Sequence, residues 1–200
     1  MIELPLPPSP GTENHVSIDL VNSIVHLPGV EDIDALITPE STTEWLIDRD
    51  LVAEGSALQS YCQSRLTGLR WNLQEAFEAR ATGRALDQQT LANINAALVA
   101  APHVAQLQTW PDGSFTRTTE HPVTQLVEHA MSIIAEDAAA LLSSDEAQLL
   151  TRCEAEPCTR FYLRTHARRQ WCSTRCGDRV RAARAYARRQ AKKQEGLKAN

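Results

Sequence analysis

"WCSTRCGDR" (171–179) holds two cysteines, Cys172 and Cys176, just before an arginine-rich tail. With "CEAEPC" (153–158) upstream, the four cysteines Cys153, Cys158, Cys172 and Cys176 are spaced C-x4-C-x13-C-x3-C. Zinc takes four thiolate or imidazole ligands in a tetrahedron. Two short-range pairs joined by a longer loop suit it, because each pair is a turn and the loop brings the turns together. A redox pair calls for C-x-x-C beside a strand–helix unit, a spacing that neither pair has. Structural zinc is therefore the leading reading, beside a redox or catalytic site and chance clustering. Arg152, Arg160, Arg175 and Arg179 lie near enough in sequence to offset the formal −2 of a four-thiolate zinc. The metal would also supply folding energy that so short a segment cannot draw from its own core. His166 is a further nitrogen donor, but four cysteines already complete the shell. The fifth cysteine, Cys62, sits on the apolar stripe of a helix and reads as a small core residue.

The tail follows from Cys176. A helix starting near Thr174 puts Cys176, Val180, Ala183 and Ala187 on one face, expected to pack back onto the metal site. Arg181, Arg184, Arg188 and Lys192 then form another stripe, within about 80° of arc. Arg179 and Tyr186 occupy a third side. Planar guanidinium groups suit phosphates and guanine edges, so Arg168, Arg169, Arg179, Arg181, Arg184 and Arg188 are the candidate nucleic-acid contacts. A solvated basic face and a protein partner are the alternatives.

Charge is divided along the chain. Residues 151–200 carry 14 Lys and Arg against 4 Asp and Glu, a net +10, and residues 1–150 carry 6 against 21, a net −15, which together make the overall −5. Such asymmetry suggests two jobs, with the basic part facing a polyanion. At 200 residues and 42% hydrophobic, the chain suits one ordinary domain plus a small appendage. "MIELPLPPSPG" (1–11) lacks the basic and apolar runs of a secretion signal, and no stretch is apolar enough to span a membrane. A cytoplasmic protein is expected, where paired cysteines hold metals more often than disulfides.

Residues 1–146 read as an acidic, mostly helical domain with a small β element, an α+β chain, and residues 147–200 as a treble-clef or ribbon-like finger with its basic helix. "VSIDLVNSIV" (16–25) is rich in β-branched residues and reads as a strand or buried opening segment. "STTE" (41–44) resembles a capping box, Ser41 the cap and Glu44 reaching back, opening a helix that runs toward Gly55. Leu58, Cys62, Leu66, Leu69, Leu73 and Phe77 recur three or four apart and predict a long helix ending at Gly83. Asp87 is a cap for a helix with Leu91, Ile94 and Leu98 inward, stopped by Pro102. "HVAQLQTWPDGSFTRTT" (103–119) alternates on both sides of Pro111-Asp112-Gly113-Ser114 and predicts a hairpin. A last helix from about Pro122 to Leu142 turns Val123, Leu126, Val127, Ala130, Ile134, Ala138 and Leu141 inward. The finger, dependent on its metal, is expected to unfold apart from these helices.

At this point the chain resembles a bacterial family. "RCEAEPC" (152–158), "RRQWCS" (168–173) and "CGDR" (176–179) are similar to the CGNR zinc finger, named for a Cys-Gly-Asn-Arg run after Trp-Cys-Ser. "DLVNS" (19–23) and "NINAAL" (93–98) look like motifs of the ABATE domain that precedes that finger. The resemblance implies a stress-induced transcription regulator with a DNA-binding finger, four cysteine ligands, and Gly177 and Arg179 in the finger's Gly and Arg places. Asp178 stands where the family has Asn; it cannot donate the bonds an amide can and would repel a phosphate.

The function expected is thus a DNA-binding regulator, with DNA as partner, a small-molecule effector or protein partner of the N-terminal domain, no membrane, and a homodimer left open. No enzyme signature is present: no Gly-rich phosphate loop, no G-x-S-x-G, no H-E-x-x-H, and His15, His26, His103, His121 and His129 are scattered. An enzyme of small-molecule metabolism with the finger as scaffold, and a zinc-stabilised protein-interaction module, are the alternatives.

Overall fold

Two long helices carry the core: α3 (Ser60–Thr82) and α5 (Leu126–Ser143) in a computed structural model that describes residues 2, 4–101, 105–119 and 126–198. Around them, in chain order, lie α1 (Val16–Val21), β1 (Ile24–Val25), β2 (Ile33–Asp34), α2 (Pro39–Ile47), α4 (Gln88–Val99), the hairpin β3 (Ala105–Thr109) and β4 (Phe115–Thr119), a 3-10 turn (Asp145–Gln148), β5 (Leu150–Arg152), β6 (Phe161–Leu163) and α6 (Thr174–Lys198). The strands form three separate antiparallel pairs, β1–β2, β3–β4 and β5–β6. Among the described residues no helix is long and apolar enough to cross a membrane.

The periodic stripes go where their spacing directs. Leu66, Leu69, Leu73 and Phe77 of α3 are buried against Val127, Ala130, Ile134, Ala138 and Leu141 of α5, and Leu58, Cys62 and Leu126 pack at the edge of this core. Gly83 ends α3 in the left-handed region at φ 72°, which a residue without Cβ adopts at no steric cost. The Asp87 carboxylate caps α4 by accepting from the Thr90 N–H. On α4, Ile94 and Ala97 are buried and Leu91 is exposed, so the inward face is rotated from the expected one. The hairpin turns through Gly113 at φ 83°, with the Asp112 carboxylate accepting from Ser114. His103, His121, Pro122 and Val123 lie outside the described residues.

Two local expectations are corrected. Of the two readings of residues 16–25, the buried opening segment holds and the strand is confined to Ile24–Val25: residues 16–21 form a helix with Ser17, Ile18, Leu20 and Val21 buried, a helical spacing. The α1 terminus draws its acceptor from far away, the Ser17 N–H donating to the Asp137 carboxylate of α5 at 2.8 Å. That tertiary cap outweighs β-branched preference. The α2 cap is Thr38, not Ser41. Thr38 accepts from the Ser41 N–H while the Ser41 side chain takes the Thr38 N–H, with Pro39 in the first helical position. The helix closes at Ile47, and Asp50 at φ 55° turns the chain well before Gly55.

The C-terminal strands join the helical core. Leu150, Phe161 and Leu163 are buried in it, and the Phe161 ring meets that of Phe77 edge-on at 5.8 Å. Asn22, fully buried, grips the same strand: its Oδ1 accepts from the Phe161 N–H, and its Nδ2 donates to the Phe161 carbonyl and to Ser9 Oγ, each at 2.8 Å. The N-terminal leader runs alongside, the Leu163 N–H donating to the Pro10 carbonyl and Arg160 to that of Pro7. The strands of the finger, β5 and β6, therefore pack into the helical core. Asn22→Ala should leave the Phe161 N–H buried and unpaired, lowering unfolding free energy by about 1–3 kcal/mol. Urea titration checks this, with the midpoint falling and the slope unchanged.

Candidate metal centre and nucleic-acid interface

Two turns bring the four cysteines together. The first is the knuckle between β5 and β6, where the Cys153 N–H donates to the Arg160 carbonyl and the Cys158 N–H to that of Ala155. The second is the start of α6. Ser173 Oγ accepts from the Cys176 N–H at 3.3 Å, an N-cap that fixes where the helix begins and presents Cys176 from its first turn. The arrangement is zinc-finger-like.

All four sulfurs are buried and lie within 4.8 Å of one another, and none is in a disulfide. The Cys158–Cys172 and Cys172–Cys176 Sγ distances are 3.8 and 3.7 Å. A tetrahedron with sulfur about 2.3 Å from zinc has edges of about 3.8 Å, so the donor set fits that ion. His166 is exposed on the surface and is no member of the cluster. The packed thiols pull one another in opposite directions. Hydrogen bonding, first with Cys158, brings Cys153 down to about 7. Bonds from Cys153, Cys158 and Cys172 lower Cys176 further. Cys158 and Cys172 rise, each chiefly through Cys153. A metal held by these four residues would take all of them as thiolates and release their protons. Leu6, Val25, Ala155 and Tyr162 pack around the sulfurs as a small second core, and the Tyr162 hydroxyl donates to the Arg169 carbonyl.

The "CGDR" run is absorbed by the finger itself. A Cβ at Gly177 would stand 2.7 Å from the Trp171 ring and 3.0 Å from Arg181, so glycine is what allows Trp171 to lie against the helix. Arg179 donates from Nη2 to the carbonyls of Ala155 at 2.5 Å and Glu156 at 3.3 Å, tying α6 to the first knuckle. Asp178 pairs with Arg181 at 2.6 Å, and the Arg181 guanidinium lies 5.3 Å from the Trp171 ring centre. The residue that departs from the CGNR pattern thus has a cation of its own. The other arginines expected to screen the cluster are engaged elsewhere: Arg152 faces Glu78 of α3, while Arg160 and Arg175 donate to the leader carbonyls of Pro7 and Pro5. Gly177→Ala should cost about 1–3 kcal/mol through this overpacking, read as a lower melting temperature of the zinc-loaded protein with unchanged zinc content.

Beyond its first turns α6 leaves the body. Val180 is half-buried, but Ala183 and Ala187 are exposed, so the face expected to dock along its length docks only at Cys176 and Val180. Among the described residues no surface packs along it there. Arg184, Arg188, Arg189, Lys192 and Lys193 are all exposed, and among the described residues no carboxylate pairs with them. Arg168 is exposed and Arg169 half-buried on the loop before Cys172. The six candidate arginines therefore divide. Arg184, Arg188 and Arg168 are open to solvent, whereas Arg179 and Arg181 already hold finger groups, and Arg169 lends its carbonyl to Tyr162. Sequence reading missed Asn22 as the clamp on β6; a lone amide inside the apolar "DLVNS" was the available signal.

A helical body joined to a four-cysteine cluster and a projecting basic helix defines a zinc-finger protein. The chain belongs to the ABATE family, whose model, described as "Putative stress-induced transcription regulator", matches residues 14–145. The CGNR zinc finger model matches residues 150–189. No curated protein matches the chain.

Proposed function

We propose that the protein is a DNA-binding transcription regulator in which Cys153, Cys158, Cys172 and Cys176 hold a structural zinc. The zinc fixes the first turn of α6, and the rest of α6 lies along duplex DNA. The N-terminal helical region is the effector half. The observation that carries this reading is the projecting helix, whose Arg184, Arg188, Arg189, Lys192 and Lys193 are exposed without carboxylate partners among the described residues. Guanidinium groups free of internal pairing are the ones that exchange counterions with phosphates. Family membership supports the same reading. Arg179 and Arg181 act here as supports that set the helix on the knuckle, with Arg184, Arg188 and Lys192 as the phosphate-facing stripe and Arg168 at its edge. Selection of bound sequences from a pool of randomised 20-bp duplexes by the zinc-loaded protein tests it. An enriched motif is expected of a regulator; recovery of no duplex above a protein-free control contradicts it.

A further inference from the structure

A cavity of about 640 Å3 lies between the N-terminal leader, α1, α2 and the start of α6. Its volume falls within the range of about 300–1,000 Å3 usual for small-molecule sites. One part of its wall is apolar: Ile2, Leu4, Leu6, Ala35, Trp45 and the leader prolines. The other carries three cations, Arg49, Arg160 and Arg175, against one carboxylate, Asp19. Arg49 is stacked on Trp45 at 4.0 Å and donates to Asp19 at 2.6 Å. Each guanidinium keeps one terminal nitrogen without a partner among the described residues.

The Arg49 side chain is 27% exposed and Arg175 lies at the surface, so both can meet a ligand directly, while the buried Arg160 adds its charge from within the wall. We propose that this cavity binds a small amphipathic anion, an apolar body lying against Trp45 and the leader with a carboxylate or similar acid group among Arg49, Arg160 and Arg175. Asp19 disfavours a polyanion, and the excess of arginine disfavours a cation. The wall includes Thr174 and Arg175 at the first turn of α6 and the leader held by Arg160 and Arg175. An anion that competes with the Pro5 and Pro7 carbonyls for those arginines would therefore alter the seat of the basic helix. This regulatory consequence rests on the DNA-binding reading above; the binding site does not.

The test titrates the zinc-loaded full chain with 8-anilinonaphthalene-1-sulfonate, an aromatic monoanion whose fluorescence rises in apolar sites. Saturable binding near one probe per chain is expected, displaced by decanoate at least about tenfold better than by decyltrimethylammonium, which shares its chain and inverts its charge. Arg49→Gln and Arg175→Gln should each weaken probe and decanoate about tenfold while far-UV circular dichroism is unchanged; should Arg49→Gln fail to fold, Arg175→Gln carries the comparison. Absent or non-saturating probe binding, equal displacement by the two amphiphiles, or variants that bind as the wild type does would overturn the site. A parallel anisotropy titration with a 20-bp duplex separates the two readings. Probe binding without any DNA binding sinks the regulator and leaves the cavity; DNA binding without probe binding does the reverse.

Discussion

Stripping zinc from the purified protein should unfold the chain well beyond the finger. Zinc-finger peptides gain roughly 10–16 kcal/mol from the metal at neutral pH, against a total stability of about 5–15 kcal/mol for an ordinary domain. The loss cannot stay local here. Without the cluster, the knuckle between β5 and β6 keeps a small second core that has lost its metal-bound centre and the Arg179 bonds to the Ala155 and Glu156 carbonyls. Those strands deliver Leu150, Phe161 and Leu163 to the helical core. At about 1.5–3 kcal/mol for each buried large side chain, their withdrawal removes several kcal/mol from α3 and α5. Chelation, or Cys172→Ser, should therefore lower the helical signal in a single transition and drop the melting temperature by about 10–20 °C. Circular dichroism with amide exchange reads both. Exchange confined to residues after about 150, with helical signal intact, would show a finger that folds apart from the body.

The second large effect concerns the exposed face of α6. Each phosphate contact adds about 0.9 to the slope of log affinity against log salt. Arg184→Ala, Arg188→Ala and Lys192→Ala together should flatten that slope by up to about 2.7, weakening binding to every duplex sequence. The net charge of −5 does not forbid binding, because at physiological salt the acidic region's repulsion is screened over about 8 Å. Arg179→Ala should behave differently. Its guanidinium holds the Ala155 and Glu156 carbonyls, so its removal should lower the melting temperature and leave the salt slope nearly intact. A slope change from Arg179→Ala as large as that of Arg188→Ala would place Arg179 on the DNA instead.

Which features were legible in the sequence depends on the range of the interaction that creates them. The stripes of α3 and α5, the Asp87 cap, the hairpin turn at Asp112-Gly113 and the four-cysteine cluster all follow from residues near one another or from a metal that demands a known spacing. The α1 helix was not legible, because its cap is Asp137, 120 residues away. The α2 cap was displaced by three positions, since Ser41 fills the third position of a box whose cap is Thr38. Ala183 and Ala187 have the spacing of a docking face, but a helix buries such a face only where a partner surface exists. Asn22 lies 139 residues from the strand it holds, a pairing no local pattern encodes. The cavity by the leader has the same origin: it forms where Arg160 and Arg175 bind the carbonyls of Pro7 and Pro5, more than 150 residues away.

Zinc-dependent DNA binding by α6 is tested most directly by the anisotropy of a labelled 20-bp duplex titrated with the zinc-loaded protein from about 50 to 300 mM salt, repeated after chelation. Affinity should fall steeply with salt, show a flatter salt dependence in the α6 triple variant and be lost with the metal. Affinity that is absent at about 50 mM salt, or that persists unchanged without zinc, would contradict zinc-dependent binding by α6.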